Sequence, residues 1–125
     1  MAPELPKVLV VEDCLDAAWA QASLVELAGY EVRQAHDGAE ALRLAAEFRP
    51  DVVLLDLGLP DIDGFQVARE IRQLPGLKEV RLVALTGFDR ERFVQKSADE
   101  GFDHYLVKPA DPRLLLSILG SASPA

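Results

Sequence analysis

The chain has a single cysteine, Cys14, among its 125 residues. That excludes an internal disulfide and any zinc site built from several thiolates. It also has no basic excess: 13 Lys and Arg stand against 21 Asp and Glu, the formal charge is −8, and the basic residues are scattered. Direct binding of DNA or RNA, which depends on clustered Lys and Arg at the phosphates, is therefore not expected. No run of about 18 apolar residues could span a bilayer. Residues Met1 to Lys7 hold two prolines and no apolar core, unlike a secretory leader, so a cytoplasmic protein is expected. No internal repeat or long polar tract divides the chain, and half of it is hydrophobic. This suits one compact domain over residues 1–125, with a core from 7 to 119 and a small, polar tail from Gly120 to Ala125.

What is present is an alternation of short apolar runs with longer segments of helical spacing, the pattern of βαβ units. Strands are predicted over Lys7 to Glu12, Tyr30 to Ala35, Asp51 to Asp56, Val80 to Leu85 and His104 to Val107. Helices are predicted over Leu15 to Ala28, Asp37 to Phe48, Asp63 to Leu74, Asp89 to Glu100 and Asp111 to Leu119. Gly29 and Gly101 stand where helices should stop, Pro50 precedes the third strand, and Pro75-Gly76 follows the third helix. Asp37, Asp63 and Asp89 are suitable N-caps. Several strands are apolar on both faces, as strands between two helical layers must be. Right-handed crossovers then give an α/β fold, a doubly wound five-stranded parallel sheet that binds ligands at the carboxyl ends of its strands.

Charged residues gather at those ends. Glu12 and Asp13 follow KVLVV, Asp56 follows DVVLL, and Lys108 follows DHYLV. Carboxylates brought together repel one another unless a cation offsets them. Lys108 supplies one positive charge. A hard divalent ion such as Mg²⁺ would supply more, held by two or three carboxylates and a backbone carbonyl, for which Gly58 is the candidate. In such a site Asp56 can attack phosphorus and form an aspartyl phosphate while metal and lysine neutralise the transferring group. Thr86, at the end of the fourth strand, could donate to a phosphoryl oxygen, and Gly87 would leave the approach open. A single acid at a strand end is usually just solvated, and a single threonine there usually just caps a helix. The conjunction is what points to phosphoryl chemistry.

Four segments carry a family resemblance: Val10-Val11-Glu12-Asp13; Leu54-Leu55-Asp56 with Leu59-Pro60 and Asp63-Gly64; Ala84-Leu85-Thr86-Gly87; and Tyr105-Leu106-Val107-Lys108-Pro109. With thirty residues from Asp56 to Thr86 and 22 from Thr86 to Lys108, the chain resembles the receiver domain of two-component response regulators, from Lys7 to Leu119. The sheet order 2-1-3-4-5 and the flavodoxin-like three-layer sandwich belong to that family and enter with the resemblance. The resemblance implies that Asp56 accepts a phosphoryl group from a histidine kinase or phosphotransfer protein, with Mg²⁺ at Glu12, Asp13, Asp56 and Gly58. It implies that Lys108 pairs with phosphoryl oxygens, through a cis bond to Pro109, and that Thr86 and Tyr105 are the switch pair. Downstream partners would read the face made by the fourth helix, fifth strand and fifth helix. Such a protein is a signalling phosphoacceptor that catalyses only its own phosphorylation and dephosphorylation.

Some residues depart from the family pattern. Gly58 and Phe88 occupy the two positions that tune hydrolysis of the aspartyl phosphate, and neither can orient an attacking water, so slow self-dephosphorylation is expected. Cys14, beside the acidic pair, is expected to be structural. In the first helix, Ala17, Ala20 or Gln21, Leu24 and Ala28 are assigned to the core, and Leu15, Trp19 and Ala22 to another face. Trp19 is either an exposed docking residue for a kinase or folded over a neighbouring helix. His36 and His104 are expected at the surface. A flavodoxin-like electron carrier would need a phosphate loop where Glu12-Asp13 stand, and a haloacid-dehalogenase-type phosphatase would need an acid where Gly58 stands. The remaining alternative is a pseudo-receiver, an interaction module that is never phosphorylated.

Overall fold

The computed structural model describes residues 5–87, 101–108 and 110–122. Five parallel strands form one sheet: β1 (Lys7–Val11), β2 (Glu31–Ala35), β3 (Val52–Asp56), β4 (Arg81–Thr86) and β5 (His104–Val107). Their order is β2-β1-β3-β4-β5, as the resemblance implied. The described helices are α1 (Leu15–Leu27), α2 (Gly38–Phe48), α3 (Gly64–Gln73) and α4 (Pro112–Ala122). The helix expected over Asp89 to Glu100, with its Asp89 cap, lies outside the described residues, as do Phe88 and Pro109.

Alternation along the strands sends side chains to two separate cores. Leu9, Val11, Val53, Leu55, Leu82 and Ala84 join Phe65, Val67 and Ile71 beneath α2 and α3. Val8, Val10, Leu54, Val83 and Leu85 join Val25, Leu115 and Leu119 beneath α1 and α4. The interior strand β3 is buried throughout, whereas the edge strands β2 and β5 are only partly so. This explains why the central strands read as continuous apolar runs and β2 does not.

The helix boundaries follow their caps. The Asp37 carboxylate accepts from Glu40 N at 2.7 Å, and Glu40 Oε1 in turn accepts from His36 N at 2.9 Å, closing the first turn of α2 reciprocally. Asp63 and Asp111 cap α3 and α4 in the same way, accepting from Phe65 N and Arg113 N. Gly29 and Gly101 adopt positive φ where chain direction changes. Arg49 also does so, closing α2 without a glycine.

Three expectations need correction. The core face of α1 is Ala18, Ala22 and Val25, while Ala20 and Ala28 are exposed. The helix is so rich in alanine that its sequence carries little contrast between faces, and packing chose the rotation. Trp19 and Leu15 point to solvent, 68 % and 65 % exposed, so Trp19 does not fold over a neighbouring helix. Finally, His104 is not simply a surface residue, for it begins β5 beside Val83 with its Nε2 buried; His36 stays accessible, its side chain 38 % exposed and its Nδ1 3.3 Å from Glu40 Oε1.

Candidate functional site

The sheet register brings the strand ends level. Val11 pairs with Leu55, Asp56 with Leu85, and Thr86 with Val107. Ladder-like hydrogen bonds then carry the alignment past the strands: Glu12 N donates to Ala35 O at 2.9 Å, Leu57 N to Leu85 O at 3.0 Å, and Lys108 N to Thr86 O at 2.7 Å. The backbone thus delivers Glu12, Asp56, Thr86 and Lys108 to one edge before any side chain interacts.

Lys108 Nζ stands between two carboxylates, 2.5 Å from Glu12 Oε1 and 2.9 Å from Asp56 Oδ2. Glu12 is fully buried and Asp56 is 5 % exposed. Asp56 Oδ1 accepts from Gly58 N at 2.9 Å, and Glu12 Oε2 from Cys14 N at 3.3 Å. Asp13, exposed at the rim, completes a trio in which Glu12, Asp13 and Asp56 each place an oxygen within 4.8 Å of the others.

Burial pushes the Glu12 carboxyl above its ordinary value, against Lys108 and with help from the neighbouring Asp56. Burial also raises Asp56, but hydrogen bonds from Gly58 N–H, Lys108 and Glu12 outweigh it and hold Asp56 below the ordinary range. Burial lowers Lys108, and the two carboxylates more than reverse this. Of the two carboxyls, Asp56 is thus held the more acidic and Glu12 the less. A trio of hard oxygen donors, one of them destabilised as an anion by burial, fits a hard divalent cation.

Thr86 is buried at the end of β4, and Tyr105 pairs with Ala84 one strand over. Alternation puts Thr86 and Tyr105 on the same face of the sheet, where the Tyr105 ring packs against the α2 and α3 core. A Cβ on Gly87 would meet nothing within 4 Å, so the space beside Thr86 is open. Cys14 is exposed and caps α1 without a side-chain hydrogen bond.

The sequence reading missed the residues that hold the β3–α3 connection. Gly64 presses on the end of β3, where an added Cβ would lie 2.7 Å from Leu57 Cα and 3.0 Å from Asp56 O. Asp61 reaches back to α2, accepting from Gly38 N at 2.7 Å and Ala39 N at 3.0 Å. The Asp63-Gly64 pair was visible as part of the family resemblance, with Asp63 as a helix cap. The link from Asp61 has no local signature.

A family model for the response regulator receiver domain matches residues 8–120. Aerobic respiration control protein ArcA of Escherichia coli K12 is 37 % identical over 112 residues, covering 90 % of this chain and 46 % of ArcA. The polar-differentiation response regulator DivK of Brucella anthropi is 33 % identical over 116 residues, covering 91 % of this chain and 94 % of DivK. The chain thus spans about half the length of regulators such as ArcA and nearly all of DivK. Chemotaxis protein CheY4 of Vibrio cholerae superposes with a TM-score of 0.89 at 32 % identity, covering 95 % of this chain and 99 % of that one.

Proposed function

The chain belongs to the response regulator receiver family of two-component signalling, and we propose that it is a Mg²⁺-dependent phosphoacceptor whose nucleophile is Asp56. The observation that carries this reading is the placement of Lys108 Nζ between Asp56 and Glu12 at the carboxyl edge of the sheet. An Asp56 oxygen attacks the phosphorus of a phosphohistidine, the P–N bond breaks as the P–O bond forms, and the imidazole nitrogen leaves with the electron pair. Lys108 exchanges its carboxylate contact for a phosphoryl oxygen. Glu12, Asp13, Asp56 and the Gly58 carbonyl would hold Mg²⁺, which when bound would neutralise charge on the transferring group. Asp56 is kept anionic by Gly58 N–H and Lys108, and Thr86 donates its hydroxyl to the phosphoryl group once that group is in place.

Thr86 and Tyr105 form the switch: a phosphoryl group at Asp56 draws Thr86 towards it, and Tyr105 turns into the space released. The shared face of the two side chains supports this pairing. The surface that changes includes β5 and α4, where Val107 and Leu114 are exposed. Receiver domains interact with histidine kinases or phosphotransfer proteins, and the donor is assigned to α1. There Trp19 and Leu15 stand exposed on the helix surface, and a separate groove of about 650 Å³, lined by Ala17, Gln21, Leu24, Leu115 and Lys108, runs along another face of α1. A cytoplasmic location is the one this role requires.

Incubation with Mg²⁺ and a small phosphodonor, followed by intact mass measurement, tests the reading. Wild type should gain one phosphoryl group, and Asp56→Asn should gain none. An unmodified wild type, or equal modification of both, would overturn it.

A further inference from the structure

The segment from Leu57 to Asp63 carries Gly58, whose N–H meets the nucleophile. Such a segment has little secondary structure to hold it, yet a donor must be placed to a fraction of an ångström to select one carboxylate geometry. Among the described residues, three contacts hold it. Gly64 packs against the Asp56-Leu57 backbone at its exit. Ile62 rests on Gly38, so closely that a Cβ there would lie 3.0 Å from Ile62 Cβ. Asp61 spreads both carboxylate oxygens over the first two amides of α2.

Those amides do not need Asp61 for α2 to exist. The helix has its own cap in Asp37 and its own reciprocal partner in Glu40. Asp61 instead satisfies the amides of Gly38 and Ala39, which a first turn leaves without intrahelical acceptors. Its negative charge sits at the positive end of the helix. These two amides, Gly38 first, hold the Asp61 carboxyl below the ordinary aspartate value. The bonded pair is 23 and 22 residues apart in sequence, so it ties the β2–α2 junction to the β3–α3 connection rather than capping locally.

We infer that Asp61 is a positioning residue, anchoring the β3–α3 connection to the start of α2 so that Gly58 is held against Asp56 and the metal-binding edge. The inference rests on the proposed Mg²⁺-dependent chemistry for its functional consequence, but its structural content does not. Two readouts separate the two. Amide hydrogen exchange at Gly58 requires no metal: Asp61→Ala should speed it, and Asp37→Ala, which removes the local cap of α2 but leaves the anchor, should not. Calorimetric titration with Mg²⁺ should show about tenfold weaker binding for Asp61→Ala, a smaller loss for Asp61→Asn, which keeps one acceptor, and a change within about twofold for Asp37→Ala.

Wild-type exchange at Gly58 in Asp61→Ala would overturn the inference. So would an Asp37→Ala variant as impaired as Asp61→Ala, because the effect would then be helix stability alone. Should Asp61→Ala fail to fold, Asp61→Asn decides by the same exchange measurement, wild-type protection refuting the anchor. If wild type binds no Mg²⁺, the phosphoacceptor reading falls, and Gly58 exchange still judges the anchor.

Discussion

Gly64 leaves no room for a methyl group beside Leu57: a Cβ would stand 2.7 Å from Leu57 Cα, a backbone atom that cannot swing aside. The start of α3 therefore bears directly on the residue after Asp56. Gly64→Ala should destabilise the fold by about 1–3 kcal/mol, the usual cost of overpacking a tight site. Denaturant unfolding should show a lower midpoint with an unchanged slope. Phosphorylation by a small donor should slow as well, since α3 can relieve the clash only by displacing the Asp56-Leu57 backbone.

The opposed shifts of Glu12 and Asp56 define a pH signature. Glu12, raised above 4.5, contributes stability that is present below that value and lost as pH rises through its folded pKa. Asp56, lowered below 3.8, contributes stability that is present above that value and lost as pH falls through its folded pKa. Glu12→Gln removes the first dependence and, because Glu12 helps hold Asp56 down, weakens the second. Without metal, this variant should melt higher than wild type at neutral pH, and the advantage should shrink as pH approaches 4.5. Added Mg²⁺ should reverse the ranking, because wild type gains a ligand the variant lacks. Thermal melts at two pH values, with and without Mg²⁺, check both signs.

Gly58 offers no side chain to orient water at the aspartyl phosphate, so the phosphorylated state should be long-lived. Gly58→Asn should shorten its half-life, read by loss of the phosphoryl mass over time after the donor is removed. An unchanged half-life would show that this position does not limit hydrolysis.

Trp19 is too exposed to contribute to the core. Trp19→Ala should leave the melting temperature and phosphorylation by a small phosphodonor unaltered, while phosphotransfer from a cognate histidine kinase should slow by roughly tenfold or more, as for an aromatic anchor at an interface. Equal transfer rates from the kinase would remove α1 as the docking surface.

Much of the site was legible because its signals are local. An apolar run followed by a charged residue reads as a strand end, and in a parallel sheet strand ends on one edge are neighbours, so Glu12, Asp56, Thr86 and Lys108 could be grouped before any coordinates. Asp37 and Asp63 were legible for the same reason, each capping an amide two or three residues away. The face of α1 was not: with alanines at 17, 18, 20, 22 and 28, several rotations bury similar surface, and only the fit against β1 and the neighbouring helix selects Ala18, Ala22 and Val25. Arg72 illustrates the same limit. It binds Lys78 O, Gly101 O and Asp103, fastening α3 to the entrance of β5 across nearly thirty residues of sequence. No periodicity foretells such a contact.

By itself, then, the order of residues determined which segments became strands and helices and which chemical groups stood at their ends, because periodicity, caps and turns act over a few positions. Tertiary structure alone decided that Lys108 lies between Glu12 and Asp56, that Asp56 is held lower and Glu12 higher than an ordinary carboxyl, and that Asp61 clasps α2. Distance, burial and charge compensation arise only when segments remote in sequence are packed against one another.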